Sequence, residues 1–124
     1  MQIHQSAEDY LETILMLNQR MGRVRSIDVV NELGYTKASV SIAMKKLREN
    51  GYIAVDGEGN LTLLEPGREI AERIYSRHRL LTHFFVQLGV DEEVAAEDAC
   101  KAEHILSEQT LEKIREYALL HDAQ

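Results

Sequence analysis

Six side chains that can coordinate a metal ion lie in three separate segments of this sequence. They are Asp9 and Glu12, His78, and Cys100, Glu103 and His104. The last three form the pattern C-x-x-E-H, which on a helix places them on one face at i, i+3 and i+4. Carboxylate and imidazole groups suit Mn²⁺, whereas a thiolate shifts affinity towards Fe²⁺, Co²⁺ or Zn²⁺. The residue types and spacings therefore predict a divalent-metal site with ligands from three segments.

These residues also have ordinary structural explanations. Asp9 and Glu12 lie near the start of a predicted helix, where its dipole favours acidic groups, and His78 borders an apolar stripe, where a core histidine is common. The C-x-x-E-H trio points away from the expected core side of its helix. That core side comprises Val94, Ala95, Ala99, Ala102, Ile105 and Leu106. Because cysteine prefers burial, we expect a second surface, such as the acidic face of the first helix, to cover the trio.

Capping residues and chain breakers divide the sequence into six helices and one hairpin. The predicted N-caps are Ser6, Ser26, Thr36, Asp91 and Ser107. Pro66 is predicted to begin a long helix that no breaker interrupts before Gly89. Residues 52–64 predict two short strands around a GEGN turn. The helices are expected over residues 7–21, 27–33, 37–50, 66–88, 92–106 and from 108 towards 121. The fold class is therefore mainly α with a small β-hairpin wing.

The helix predicted over residues 37–50 has an apolar side and a basic side. Val40, Met44 and Leu47 recur at helical spacing and should face the core. The opposite side carries small residues, hydroxyl groups that can bond bases or phosphates, and lysines that can neutralise phosphates. With the preceding short helix, this predicts a helix-turn-helix that binds double-stranded DNA. The candidate DNA-binding residues are Arg25, Ser26, Thr36, Lys37, Ala38, Ser39, Ser41, Ile42, Lys45 and Lys46.

Ile42 is unusual on this side, because a solvated surface does not favour a β-branched apolar residue. One explanation is a contact with a thymine methyl group, and another is a patch for a partner. The whole segment could also be a helical hairpin with a solvated face. The hairpin that follows it favours the DNA-binding interpretation.

Composition and charge narrow the class of protein further. The net charge of −7 is unevenly distributed, because residues 18–50 contain seven Lys/Arg against three Asp/Glu, and residues 91–124 contain three against ten. A basic segment joined to an acidic one allows one end to face DNA and the other to face cations. The single cysteine excludes an internal disulfide and indicates the cytoplasm. We expect no signal peptide and no membrane partner.

A second copy of the chain is an expected partner, since helix-turn-helix proteins usually bind paired half-sites as two-fold dimers. The predicted interface is the apolar stripe of the long helix. It consists of Ile70, Ile74, Leu81, Phe85 and Leu88. A long buried core helix is the alternative explanation of the same stripe.

Taken together, these segments resemble the diphtheria-toxin-repressor and manganese-transport-regulator family of metal-activated transcriptional repressors. The resemblance covers nearly the whole chain, from SAEDYLETILML through the helix-turn-helix to SRHRLL and EDACKAEHILSE. It implies a winged helix-turn-helix domain over residues 1–65, followed by a helical metal-binding and dimerisation domain over residues 66–124. It also implies a site for Mn²⁺ or Fe²⁺ between them, in the two-domain form that lacks the SH3-like domain of larger members. Metal would then favour the arrangement in which both recognition helices fit the duplex.

The resemblance leaves the metal open. Five candidates match ligands of the manganese-responsive branch, namely Asp9, Glu12, His78, Glu103 and His104. Cys100 matches the iron-responsive branch instead, whereas Asp9 stands where that branch has a methionine. With a bridging carboxylate, the six residues could hold two ions per subunit. Ile42 replaces a polar residue that relatives use, so their operator sequence does not transfer to this chain.

Two other functions are compatible with parts of the pattern. A winged-helix regulator that answers a small organic ligand would leave the six residues structural. A metal-dependent hydrolase would use the ion to activate water. Against the hydrolase, the sequence contains no Gly-rich phosphate loop or positioned nucleophile, so we expect neither enzymatic activity nor a small organic substrate.

Overall fold

The computed structural model describes residues 5–122, and the elements in that range are helices and one antiparallel hairpin. They are α1 (Gln5–Met21), α2 (Ser26–Leu33), α3 (Lys37–Glu49), β1 (Ile53–Val55), β2 (Leu61–Leu63), α4 (Glu65–Gln87), α5 (Glu92–Ala102) and α6 (Glu108–Asp122). This confirms the predicted fold class, mainly α with a β-hairpin wing. The chain forms two compact units, the first ending at Glu72 and the second beginning at Arg73. The division falls inside α4, after the boundary predicted at residue 65.

The first unit is built around the inward sides of its helices. Its buried apolar side chains include Tyr10, Leu11, Ile14 and Leu17 of α1, Val29 of α2, and Val40, Met44 and Leu47 of α3. Their spacing of three or four residues gives each helix one buried side. Each such burial stabilises the fold by about 1.5–3 kcal/mol. The opposite side of α3 is thereby left exposed.

The turn between α2 and α3 has the geometry that its residues predict. Gly34 ends α2 in the left-handed region, with φ 72°, and its N–H donates to the carbonyl of Val30 at 2.8 Å. Thr36 caps α3, because its hydroxyl oxygen accepts a hydrogen bond from the N–H of Ser39 at 3.1 Å. These two local devices fix where the second helix of the pair begins.

Two predicted caps are wrong. Ser26 is the first residue of α2, and the N-cap is Arg25, whose N–H donates to the Asp28 carboxylate at 2.9 Å. Because that carboxylate already stabilises the helix end, a serine hydroxyl is not needed there. Ser6 lies inside α1, which begins by Gln5. In both cases the helix starts earlier than its hydroxyl residue suggests.

The hairpin wing is held at its turn by one carboxylate. β1 and β2 pair antiparallel, with Ile53 opposite Leu63. The Asp56 carboxylate accepts hydrogen bonds from the N–H groups of Asn60 and Glu58, both at 2.9 Å. The hydrogen bond from the Asn60 backbone is the main reason that the pKa of Asp56 is lowered from its usual value.

Helix α4 begins one residue before the predicted Pro66 and has 23 residues, so it is about 34 Å long at 1.5 Å per residue. Its start lies close to the backbone that leads into the wing. At Gly67 a Cβ would fall against the carbonyl oxygen of Tyr52, so glycine permits this approach. Among residues 5–122, no helix is both long enough and apolar enough to cross a membrane.

The second unit packs Leu81 of α4, Ala99 of α5 and Leu111 of α6 into a buried cluster. Helix α5 ends at Ala102, before the predicted end at residue 106, and a turn follows it. As a result Ile105 is 76% exposed and not part of the core. The expected core role is wrong for Val94 as well, since that residue is also exposed.

The predicted dimer stripe on α4 is divided between two roles. Ile74 and Leu81 are fully buried within the chain and belong to its own core. Phe85 is half-buried and packs against the Leu81 cluster, and Ile70 is also half-buried. Leu88 is 62% exposed. The chain's own core therefore uses most of the stripe, and only its C-terminal end is open to a partner.

Candidate metal centre and DNA-facing surface

The second unit brings three of the candidate ligands together around Glu103. The Glu103 carboxylate oxygen Oε2 lies 3.0 Å from Nδ1 of His78, and Oε1 lies 3.5 Å from Nε2 of His104. Glu103 is 0% exposed and the His104 side chain 2% exposed. A carboxylate is thus enclosed between two imidazoles.

The turn after α5 places Glu103 in this position. Glu103 is the C-cap of α5, with φ −58° and ψ −24°, and its N–H donates to the carbonyl of Ala99 at 2.9 Å. Arg77 of α4 fixes the turn from outside, because its guanidinium donates to the Glu103 carbonyl oxygen at 3.1 Å and pairs with the carboxylate of Glu108. Sequence reasoning missed Arg77, although it directly precedes His78.

Cys100 lies one helical turn before Glu103, and its sulfur is within 4.8 Å of a Glu103 carboxylate oxygen. The thiol-bearing residue is exposed within the chain, and its covering by a second surface stays a prediction. Glu103 and His104 are not on a solvated face either, since both side chains are enclosed. The i, i+3 and i+4 geometry holds only in part, because the helix ends before its last two members.

Asp9 and Glu12 belong to the first unit, where both lie on α1. Glu12 is 5% exposed, and Asp9 is half-buried. Glu12 therefore does not lie on a solvated face of α1. Burying a carboxylate is costly without compensation from hydrogen bonds or positive charge. The burial gives Glu12 the kind of environment in which a cation is stabilising.

The donor set of the second unit fits a divalent transition metal. It offers a carboxylate, two imidazoles and a thiol, which are the ligand types that Fe²⁺, Co²⁺ and Zn²⁺ accept, and the oxygen and nitrogen donors also suit Mn²⁺. The Glu103 oxygen Oε1 is buried and receives no hydrogen bond from any residue in the described range. A cation would satisfy this oxygen, because buried charges are usually paired or bound to metals.

The outward side of α3 is exposed, as the helical spacing predicted. Its exposed residues include Lys37, Ala38, Ser39, Ser41, Ile42, Lys45 and Lys46. Lys45 is within 4.0 Å of Glu49, and Ile42 is 58% exposed. Thr36 is engaged as a cap, and Ser26 is half-buried at the start of α2. The role of these residues in DNA binding stays a prediction.

A cleft of about 250 Å³ lies between α3, the start of α2 and the wing. Ser26, Ser41, Met44, Lys45, Arg48 and Val55 line it. Two cations and two hydroxyl groups converge there, which is the combination that contacts phosphate oxygens. Arg48 was missed in the sequence, although it follows Lys45 at i+3 on the same side of the helix.

Two family profiles match consecutive parts of the chain. Residues 2–61 match "Iron dependent repressor, N-terminal DNA binding domain". Residues 64–119 match "Iron dependent repressor, metal binding and dimerisation domain". The first matched region contains α1 to α3 and most of the hairpin, and the second contains the Glu103 cluster.

The chain is also similar to individual transcriptional regulators. An uncharacterized HTH-type transcriptional regulator of Methanocaldococcus jannaschii is 36% identical over 113 residues, 90% of either chain. The HTH-type transcriptional regulator MntR of Bacillus subtilis is 35% identical over 109 residues, 88% of this chain and 77% of that protein. A solved manganese-dependent transcriptional repressor in complex with manganese superposes with a TM-score of 0.82 at 28% identity, covering 90% of this chain and 52% of the other. This chain therefore spans about half the length of that solved structure.

Proposed function

This chain belongs to the iron-dependent repressor family, and we propose that it is a metal-dependent, DNA-binding transcriptional repressor that responds to Mn²⁺ or Fe²⁺. Its partners are double-stranded operator DNA and a second copy of the chain. Support comes from the two matched profiles and from the chemistry of the two surfaces described above. The organic-ligand alternative has no observation in its favour.

The enclosed Glu103 carboxylate is the observation that carries the metal dependence. A side chain with 0% exposure holds one oxygen near His78 and the other near His104. Leaving such a charge in a protein interior without a cation costs several kcal/mol, on the order of 3–5 when one partner of a buried pair is missing. A bound divalent ion removes this cost, so metal and the folded cluster stabilise each other.

The proposed ligand set is Asp9, Glu12, His78, Cys100, Glu103 and His104. Of these, Glu103 and His104 supply enclosed donors in the second unit, His78 supplies a half-buried one, and Cys100 adds a thiolate. Asp9 and Glu12 join the set through the family resemblance, which assigns ligand positions to α1. When bound, the ion supplies the positive charge that offsets these carboxylates. Six donors suffice for one ion, and a bridging carboxylate would allow two.

Metal dependence also requires that DNA-competent and DNA-incompetent arrangements differ in their affinity for the ion, because a ligand shifts an equilibrium only through such a difference. The carboxylates of Asp9, Glu12 and Glu103 carry like charges, whose repulsion opposes any arrangement that gathers them. A bound cation that neutralises these charges would therefore favour the arrangement in which the three carboxylates lie close together.

Dimerisation is assigned to exposed apolar side chains of the second unit. Leu88, Leu119 and Leu120 are each at least 62% exposed, and covering such side chains is favourable. The adjacent Leu119 and Leu120, near the end of α6, were not singled out from the sequence. Two recognition helices in one dimer would read paired half-sites.

The test is metal-dependent DNA binding by the full chain. A random duplex library of about 30 base pairs, long enough for two half-sites one helical turn apart, is selected in Mn²⁺ and, anaerobically, in Fe²⁺. Binding of the enriched duplex is then measured by fluorescence anisotropy with metal or with chelator. We expect H78A to lose the metal response and H121A, a histidine outside the cluster, to keep it. Binding that chelator leaves unchanged would refute the metal dependence.

A further inference from the structure

We infer that Ile42 reads a thymine in each operator half-site through the 5-methyl group of the base. This inference rests on the proposed DNA-binding function. It goes further by naming the base that Ile42 recognises. It assigns a specificity-determining role to the one large apolar side chain on the outward side of α3.

The position of Ile42 on α3 supports this role. It is the sixth residue of α3, within the N-terminal part of a recognition helix that contacts base edges. It is 58% exposed and lies on the side opposite the buried residues Val40, Met44 and Leu47. Ala38, one turn earlier and also exposed, gives the same side a second, smaller apolar group.

The charged residues around Ile42 favour DNA over a protein partner as the molecule that contacts it. The exposed residues of α3 include Lys37, Lys45, Lys46 and Arg48, and the acidic Glu49 lies within 4.0 Å of Lys45. A protein partner with a matching apolar patch would have to desolvate these cations, whereas DNA pairs them with phosphates. In the major groove, the thymine methyl is the one apolar group that a base edge presents. An apolar side chain among cations therefore fits a thymine better than an apolar protein surface.

The expected effect can be stated as a ratio of affinities. Losing contact with one methyl group should weaken binding about fourfold, the value for transferring one CH₂ out of water. A dimer with one such contact in each half-site should therefore bind about 15-fold more weakly when both methyls are removed.

The experiment removes only the methyl groups. The metal-selected duplex pool is re-amplified with dUTP in place of dTTP, and the affinities for both pools are measured with metal present. The ratio is compared for wild type, I42S, I42V and I27S. I42S removes every methyl group of the side chain, whereas I42V keeps the apolar β-branch. I27S alters an exposed isoleucine of α2 outside the inferred contact.

We expect wild type, I42V and I27S to prefer the thymine pool about 15-fold, and I42S to show little preference. Equal preference by wild type and I42S would overturn the inference while leaving metal-dependent DNA binding intact. Equal affinity of wild type for both pools would also overturn it. If no duplex is enriched in either metal, the proposed function itself fails, and the inference fails with it.

Discussion

Replacing Glu103 with glutamine tests the metal centre directly. The substitution keeps the size and most of the shape of the side chain but removes the negative charge that lies between His78 and His104. Without metal, E103Q should be as stable as the wild type or more stable, because it removes a charge from a position with 0% exposure. With metal, the wild type should gain stability that the variant does not.

The expected difference in metal-induced stability between wild type and E103Q follows from the loss of a charged partner of the ion. At a free Mn²⁺ concentration of about 100 times Kd, the wild type gains about 2.7 kcal/mol. Removing one partner of a buried charge pair costs about 3 kcal/mol, which weakens metal binding about 150-fold. The variant then gains only about 0.3 kcal/mol at the same concentration. For a chain of this size, the expected increases in Tm are about 10 °C and about 1 °C.

The assay is thermal unfolding followed by circular dichroism, with and without Mn²⁺ in a weakly chelating buffer. E112Q is the matched control, because Glu112 is exposed and pairs with Arg115 on the surface of α6. It should keep the full metal-induced increase. If E103Q gained as much as the wild type, the Glu103 carboxylate would not be a ligand, and the reasoning from its burial would be refuted.

Three further predictions concern the first unit. T36A should lose about 1 kcal/mol of unfolding free energy by urea titration, as a lost N-cap does, whereas T36S should not. G67A should lose about 1–3 kcal/mol, as overpacked sites do, because its Cβ meets backbone, whereas G57A meets no atom within 4 Å and should be neutral. The pKa of Asp56 is lowered, so its contribution to the wing is present above the usual value of 3.8 and lost as pH falls through the lower folded value. In the wild type, the NMR chemical shift of the Asn60 backbone amide should change as the Asp56 carboxylate is protonated. In D56N the shift should not depend on pH over this range. The same titration in D56N would contradict the assignment.

Much of the fold was predictable because its signals are local. The caps at Thr36 and Ser107, and the glycine at the end of α2, act within four residues of their own position. The apolar spacing of α3 likewise distinguishes its buried side from its exposed side. Such features depend on short stretches of chain, so a sequence determines them almost alone.

The sequence predictions were wrong or incomplete where contacts between residues far apart in the chain determine the structure. Local spacing extended α5 to residue 106, but the helix ends at Ala102, and Arg77 of another helix holds the turn that follows. The stripe on α4 looked equally suited to a core and to an interface. Packing against α5 and α6 placed Leu81 in the core, and spacing within one helix could not reveal this.

The sequence by itself determined which donors the chain carries and at what spacing, and hence that a carboxylate, imidazoles and a thiol were available to a metal ion. Only the tertiary structure decided that Glu103 is enclosed with His78 and His104 while Cys100 remains exposed. The reason is physical: side-chain chemistry belongs to a residue, but burial depends on elements far apart in the chain. A carboxylate becomes a strong cation ligand mainly when those elements remove it from water.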